Sequence, residues 1–313
     1  MHPAFSVIFL TTLIGAAQGL FLALYGTEIL VAGSLALQQQ PMFLPVSSLV
    51  ALVLAGLGLL ASFFHLGHPE RAWRSAAMWR TSWLSREVIA LPLFMAGLFF
   101  YAVAHYLGLG STKLIGGLTA IACLALFLCT AMIYASVRFL QEWASALTLV
   151  NLFLLGCASG LTLATALAAA AGIPALVVPY AWGAGLLTAL AFVTRSASLV
   201  RNARLKPKSS LQSAIGIKHP RIVQKSQGFM GGSFNTREFF HHRSADMLRS
   251  VKWSFLLLVF ALPLLLLGVG VSVSSAVLLA AAFVLQYVGL LAERWFFFAQ
   301  ANHPQNLYYQ TIS

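Results

Sequence analysis

Long apolar runs alternate with short polar stretches along most of the chain. Eight of these runs hold the roughly 20 consecutive apolar residues that are needed to cross the hydrocarbon core of a bilayer. They lie at residues 5–32, 42–64, 87–107, 114–137, 145–170, 174–194, 253–271 and 274–298. Unbroken apolar runs predict helices, because the strands of a membrane barrel alternate apolar and polar residues. The pattern therefore predicts an all-α membrane protein, a bundle of eight transmembrane helices.

The polar stretches divide the chain into four regions. Residues 1–194 contain the first six predicted helices, and residues 253–298 contain the last two. Between them, residues 195–252 form a polar and basic segment, the only stretch outside the apolar runs that is long enough to have a structure of its own. Residues 299–313 form a tail. The two transmembrane regions are therefore predicted to flank one extramembrane segment.

The composition excludes several classes of protein. Hydrophobic residues make up 60% of the chain, charged residues only 8%, and the mean hydropathy is +0.86. Soluble domains carry about 25% charged residues, so a soluble enzyme and a disordered protein are both excluded. The three cysteines, Cys123, Cys129 and Cys157, lie inside apolar runs without the close spacing of a metal cluster. They are predicted to be buried packing residues.

The basic residues lie almost entirely on one side of the predicted bundle. Eighteen of the 19 Lys and Arg residues share the side that also holds both chain ends, and the opposite side holds Lys113. Loops rich in Lys and Arg stay in the cytoplasm. Both ends and residues 195–252 are therefore predicted to be cytoplasmic, and the chain to be a multi-pass protein of the bacterial inner membrane. The net charge of +12 thus indicates membrane orientation, and we expect no nucleic-acid partner.

The basic segment at residues 195–252 also carries aromatic residues. Phe234, Phe239 and Phe240 lie close to Arg237 in this segment. Aromatic residues and arginine are enriched in protein interfaces, whereas binding to anionic lipid requires only the positive charge. The segment is therefore predicted to dock a soluble partner, with lipid binding as the alternative.

A histidine and a carboxylate are predicted to meet at the cytoplasmic border of the second and third helices. His65 ends the second apolar run and Glu87 opens the third, and consecutive helices are antiparallel. Quinone reduction consumes two protons with two electrons. An imidazole can hydrogen-bond a quinone carbonyl and relay protons near neutral pH, and a carboxylate at the water edge can exchange those protons with solvent. We therefore hypothesise a quinone site at His65 and Glu87.

Neighbouring residues extend this hypothesis. Arg71, Arg86 and Trp83 lie in or beside the loop that joins the two helices, and they are further candidates for quinone binding. Gln18 and Glu28 are polar residues within the first apolar run. Most such residues hold helices together, but these two are also candidates for a pocket or a proton path.

Other functions remain alternatives at this point. His65 could cap a helix, and the helix dipole alone favours a carboxylate at the position of Glu87; the chain would then be a passive tether. A haem would need axial histidines within the bundle, and no histidine lies in the middle of an apolar run. Transporters usually place charge at the bilayer midplane, and no basic residue lies there. Haem binding and transport therefore rank low.

Five short segments resemble the membrane anchor of dimethyl sulfoxide reductase (the DmsC family). They occur in the same order as in that family and extend over the whole chain. They lie at residues 1–9, 65–69, 84–87, 228–240 and 292–306.

The resemblance implies a non-catalytic subunit of an oxidoreductase complex. It implies an eight-helix anchor without haem or iron–sulfur clusters that binds a quinone, either ubiquinone or menaquinone. It also implies two partners, a ferredoxin-like iron–sulfur subunit and a molybdopterin catalytic subunit. The family's quinol-binding histidine and glutamate match His65 and Glu87.

The predicted orientation separates two branches of the family. The catalytic subunits of dimethyl sulfoxide reductase face the periplasm, whereas the arginine-rich face predicts cytoplasmic partners here. This pattern is more similar to the anchor of cytoplasmic sulfite dehydrogenase. We therefore expect electrons to pass from sulfite to the quinone pool, with a quinol-oxidising anchor of a reductase as the alternative.

Overall fold

The computed structural model describes residues 1–31, 38–64, 66–223 and 243–304, and the described residues form helices and connecting turns. We number the helices in chain order. They are α1 (Phe5–Leu30), α2 (Phe43–Phe63), α3 (Trp83–Tyr106), α4 (Thr112–Ala135), α5 (Ala146–Ala170), α6 (Pro174–Ala203), the short α7 (Leu211–Ile215), α8 (Ala245–Ser272) and α9 (Ala276–Ala299). A 3₁₀ helix (Pro69–Met78) lies between α2 and α3.

The eight predicted transmembrane helices are confirmed. All described helices except α7 and the 3₁₀ helix are long and apolar enough to cross a bilayer. Short turns join α3 to α4 at Gly108 and α5 to α6 at Gly172, and both glycines have positive φ angles of 65° and 67°. Glycine adopts this backbone conformation without steric cost.

Three observed helices extend beyond the apolar runs that predicted them, where a polar residue is buried or caps the helix. α6 continues to Ala203, because Arg195 is buried against α9 and does not mark the start of a loop. α3 begins at Trp83, where the Ser82 hydroxyl accepts a hydrogen bond from the Ser85 amide, a common way to start a helix. α8 begins at Ala245, before its apolar run. Hydropathy alone therefore makes these three helices several residues too short.

α1 and α5 form the centre of the bundle. In each, 72% of the most apolar window is buried, compared with 33–44% in the other six spanning helices. Each helix carries a pair of glycines four residues apart, Gly15 and Gly19 in α1 and Gly156 and Gly160 in α5. The Cα atom of Gly156 would lie 3.5 Å from a Cβ added at Gly15. Small residues at this spacing let two backbones come into contact.

One end of the bundle gathers most of the predicted cytoplasmic segments, and we call it the basic end. The Trp143 indole, between α4 and α5, donates a hydrogen bond of 3.0 Å to the Phe297 carbonyl near the end of α9. Arg201, in the last turn of α6, donates to the Gln141 carbonyl at 3.0 Å. Ile8 at the start of α1 packs in the same hydrophobic cluster as Trp143. The structure thus brings these segments together, and their cytoplasmic orientation stays a prediction.

α8 contains a π-helical turn at Leu257–Ala261, directly before Pro263. Proline has no amide hydrogen and its ring collides with the carbonyl of the preceding turn, so a wider turn relieves the collision. α9 packs closely against this turn because Gly289 has no side chain. A Cβ there would lie 2.8 Å from the backbone of Leu258. This contact holds α9, and with it Glu293 and Arg294, against α8.

Candidate functional site

Glu87 lies inside the bundle near the basic end. Its side chain is 8% exposed, and one carboxylate oxygen accepts a short hydrogen bond from the Thr130 hydroxyl of α4. Because Glu87 is in the second turn of α3, it is close to the end of the helix but faces inward. The sequence places this carboxylate at the water edge, and the structure places it behind the first layer of side chains.

A cavity of about 20 Å³ with a mixed polar and apolar lining adjoins this carboxylate. Its lining comes from α1, α3, α4, α5 and α9 and includes the polar side chains of Thr11, Thr12, Gln18, Glu87, Thr130, Ser159 and Arg294. A cavity of this size holds about one water molecule if it offers two to four polar partners. We call it the Glu87 cavity. It can hold water but is too small for a quinone ring.

Gln18 of α1 lies at the same cavity. It is 2% exposed, and its side-chain amide donates a hydrogen bond of 2.8 Å to the Cys123 carbonyl of α4. The Cys123 thiol in turn lies 3.7 Å from the Gln18 carbonyl. Gln18 therefore joins α1 to α4 and also lines the Glu87 cavity.

A buried charged cluster lies beside the Glu87 cavity. Arg195 of α6 is 1% exposed, and its Nε lies 2.7 Å from Oε1 of Glu293 in α9. Oε2 of Glu293 lies 3.7 Å from an Nη atom of Arg294. Both arginines also face aromatic rings, with Arg195 5.6 Å from the Phe255 ring centre and Arg294 5.2 Å from that of Phe297. The cluster holds two positive charges and one negative charge.

The candidate residues of the α2–α3 loop lie on the surface. Arg71 is exposed, 3.7 Å from the exposed carboxylate of Glu70. Arg86 donates hydrogen bonds to the carbonyls of Trp79 and Arg80 at 2.9 and 2.8 Å. These bonds hold the loop to the start of α3.

The remaining candidate of this loop is an aromatic residue in the first turn of α3. Trp83 is half-buried beneath the guanidinium of Arg86, which lies 4.2 Å from its ring centre. Leu84, beside it, is 52% exposed. Together they present apolar surface at the basic end of α3.

Several predicted site residues lie outside the described residues. They are His65 and the proposed docking residues Phe234, Arg237, Phe239 and Phe240. Residues 64 and 66 on either side of His65 are described, and they lie at the end of α2 that faces the start of α3. Their roles stay predictions.

Glu28 is not brought to the Glu87 cavity. It is 6% exposed near the opposite end of α1, where it accepts a 2.7 Å hydrogen bond from the Tyr101 hydroxyl. Nε2 of His105 lies 3.5 Å from the same carboxylate oxygen. Glu28 therefore belongs to a separate polar cluster, and of the two polar candidates in α1 only Gln18 lines the cavity.

Sequence reasoning missed most of the polar lining of the Glu87 cavity, including Thr130 and Arg294. Thr130 is one of many hydroxyl residues in apolar runs, and nothing in its position distinguishes it. Arg294 gave a signal, since it forms an adjacent acid–base pair with Glu293 inside an apolar run. Intramembrane ionisable residues usually face the interior and pair with one another, so this pair pointed to a buried cluster. Within the described residues, no group of three or more His, Cys, Asp or Glu side chains could hold a metal ion.

Comparison with known proteins identifies similar chains. The family model of the DMSO reductase anchor subunit (DmsC) matches residues 1–309. The chain is 55% identical to the C subunit of sulfite dehydrogenase from Allochromatium vinosum over 326 aligned positions, which cover 100% of both chains. No solved structure matches.

Proposed function

This chain belongs to the DMSO reductase anchor subunit (DmsC) family and is a membrane anchor of an oxidoreductase, and we propose that it is also the quinone-reactive subunit of its complex. The proposed complex oxidises sulfite at a cytoplasmic molybdopterin subunit and passes electrons through an iron–sulfur subunit. The anchor would bind the ubiquinone or menaquinone that accepts these electrons. The name of the relative from Allochromatium vinosum supports sulfite as the substrate.

The burial of Glu87 beside a cavity that other polar side chains also line carries the proposal. Ionisable groups inside a membrane protein are costly and mark functional sites by default. Glu87 is held by Thr130 and faces the cavity that Gln18 also lines. A structural cap would need no such cavity. This arrangement suits a carboxyl group that holds and releases a proton away from bulk water.

The residues at the basic end fit a quinone that lies outside the cavity. Phe64 and Leu84 are 82% and 52% exposed at the facing ends of α2 and α3, and Trp83 is half-buried beside them. These side chains offer apolar surface at the membrane edge for a lipid-soluble ring. His65 lies in sequence next to Phe64 and would supply the hydrogen bond to a ring carbonyl.

The chain's own contribution to the reaction is proton handling and positioning. The bound quinone supplies the redox chemistry, because it takes up two electrons and two protons. Glu87 would hold a proton for the nearby quinone, and Thr130 orients its carboxyl group. Arg86 keeps the α2–α3 loop folded over the start of α3. General acid catalysis by a positioned carboxyl group contributes about 10²–10⁴-fold to a rate.

The proposed partners approach the basic end. The exposed residues of the α2–α3 loop include Arg71, Arg74, Arg80 and the largely exposed Trp73. Arg237 with Phe234, Phe239 and Phe240 would add the main docking contact to the iron–sulfur subunit. Positive charge and exposed aromatic side chains favour binding of a protein with an acidic surface.

The orientation of the complex can be tested with reporter fusions. The positive-inside distribution predicts that Gly216, which is exposed after α7, and the C-terminus are both cytoplasmic. A reporter that is active only in the periplasm should therefore be silent at both positions and active when inserted after Gly110. Activity at Gly216 would invert the topology and would place the partners in the periplasm.

Quinone binding can be tested on the purified chain in mild detergent. We expect organic extraction to release quinone in a constant ratio to protein. The amount should fall in a variant that carries both His65→Ala and Trp83→Ala. The control is Trp182→Ala, which removes a lipid-exposed tryptophan of α6. If all three proteins release the same small amount of quinone, the chain is a passive tether.

A further inference from the structure

The lining of the Glu87 cavity includes an arginine to which the proposed function assigns no role. Arg294 lines this cavity and is 4% exposed. Its Nε is buried and has no hydrogen-bond partner among the described residues. A buried polar atom without a partner loses the hydrogen bonds that water would have given it. The position therefore requires a compensating group.

Glu293 only partly supplies that compensation. It lies 2.7 Å from Arg195 but 3.7 Å from Arg294, so it is closer to Arg195. The three side chains together have one unmatched positive charge. A buried charge without a partner costs several kcal/mol, and the aromatic ring of Phe297 at 5.2 Å is a weaker partner than a carboxylate.

Charge matching identifies the missing partner. The buried acidic and basic side chains among the described residues are Glu28, Glu87, Arg195, Glu293 and Arg294. Glu28 belongs to the cluster with Tyr101 at the other end of the bundle. The four that remain are two acids and two bases. The group is neutral when both Glu87 and Glu293 are ionised.

We propose that Arg294 is a positioning residue for Glu87 and acts as its counter-charge across the cavity. Glu87 of α3 and Arg294 of α9 both line this cavity. A water molecule there can bridge the two groups, because the lining includes several polar side chains and the cavity has room for about one water. This role deepens the proposed function and rests on it, since Arg294 favours the form of Glu87 that has given up its proton to the quinone.

The test is a double-mutant cycle on the full chain in detergent, with the melting temperature as the readout. Arg294→Gln should lower the melting temperature, because it leaves Glu87 without a counter-charge. Glu87→Gln/Arg294→Gln should recover at least about half of that loss, because the double variant removes one charge of each sign. Coupling of this kind between two side chains is what a cycle measures.

Arg195→Gln provides the matched control. Arg195 contacts Glu293 directly but does not line the cavity. The drop in melting temperature caused by Arg195→Gln should therefore be nearly the same in the wild-type chain as in the Glu87→Gln variant. If Arg294→Gln behaves in the same way, Arg294 serves only Glu293 and the proposal is wrong.

The proposal can also be tested if the Arg294→Gln variant does not accumulate in the membrane. If Arg294→Gln is degraded in the membrane, the double variant should still accumulate, and its loss as well would overturn the proposal. Arg294→Lys keeps the charge and should restore accumulation. It should also lower the kcat of quinone-coupled turnover more than it raises KM, because the lysine cannot reproduce the orientation of the guanidinium.

The outcomes separate this inference from the proposed function. Recovery in the double variant, together with full quinone-coupled activity of Glu87→Gln, would refute quinone chemistry at Glu87 and keep the counter-charge role. No recovery, together with a quinone defect in Glu87→Gln, would keep the quinone site and refute the role of Arg294.

Discussion

Glu87→Gln should lower quinone-coupled turnover by about 10²-fold or more, because the amide cannot hold and release the proton that quinone reduction needs. The side chain keeps its shape and can still accept a hydrogen bond from Thr130, so turnover per assembled complex should fall by more than assembly does. The measurement compares the proposed sulfite oxidation in membranes with quinone as the acceptor and with a soluble dye that would take electrons from the partner subunits. The dye activity should be unchanged.

Glu70→Gln is the matched control for this variant. Glu70 lies in the same loop region, but its side chain is 62% exposed and pairs only with exposed neighbours. Surface ion pairs contribute little, so both activities should be retained. His65→Ala should follow Glu87→Gln in losing quinone activity but not dye activity. Full quinone-coupled rates in both site variants would make these residues structural caps.

Gly160→Val should prevent the bundle from assembling. A Cβ at this position would overlap the backbone of Gly19 and Leu20 in α1, so no side-chain rotation can relieve the contact. Overpacking usually costs about 1–3 kcal/mol, and overlap with backbone atoms belongs at the upper end of that range. The amount of folded chain in the membrane, measured by gel filtration in detergent, should fall strongly.

Two further substitutions test whether contact between the backbones of α1 and α5 explains this loss. Gly19→Ala should also reduce the amount of folded chain, because its Cβ would meet the backbone of Gly156 and Cys157. Gly26→Ala lies on the same helix and should have no effect, because a Cβ there would meet no atom within 4 Å. Equal yields of Gly19→Ala and Gly26→Ala would show that the backbones of α1 and α5 are not in contact.

The helical, membrane-spanning character of the chain follows from the sequence alone. A bilayer core of about 30 Å requires about 20 apolar residues in each helix, and eight runs meet that requirement independently of one another. Glu87 and Gln18 were also candidates from the sequence, because few charged or amide side chains occur within or at the ends of those runs. A polar residue inside an apolar run is rare because it is costly there, so its position can be read from the sequence, although its partner cannot.

Only the tertiary structure decides which of these groups share a site. Gln18 and Glu28 are both polar residues of α1, and the hydropathy pattern does not distinguish them as site candidates. The structure does, because Gln18 lines the Glu87 cavity whereas Glu28 accepts a hydrogen bond from Tyr101 near the opposite end of α1. Arg294 and Thr130 join Glu87 from α9 and α4, and that meeting depends on helix packing.

The ends of the helices show the same division. Hydropathy ends the sixth run before Arg195, because a charged residue is expensive in lipid. The structure continues α6 to Ala203 and buries Arg195 against Glu293. The partner that compensates this charge lies about a hundred residues away in the chain. Apolar burial is set by each segment's own composition, whereas the cost of a buried charge is set by its partner, and only the folded chain supplies that partner.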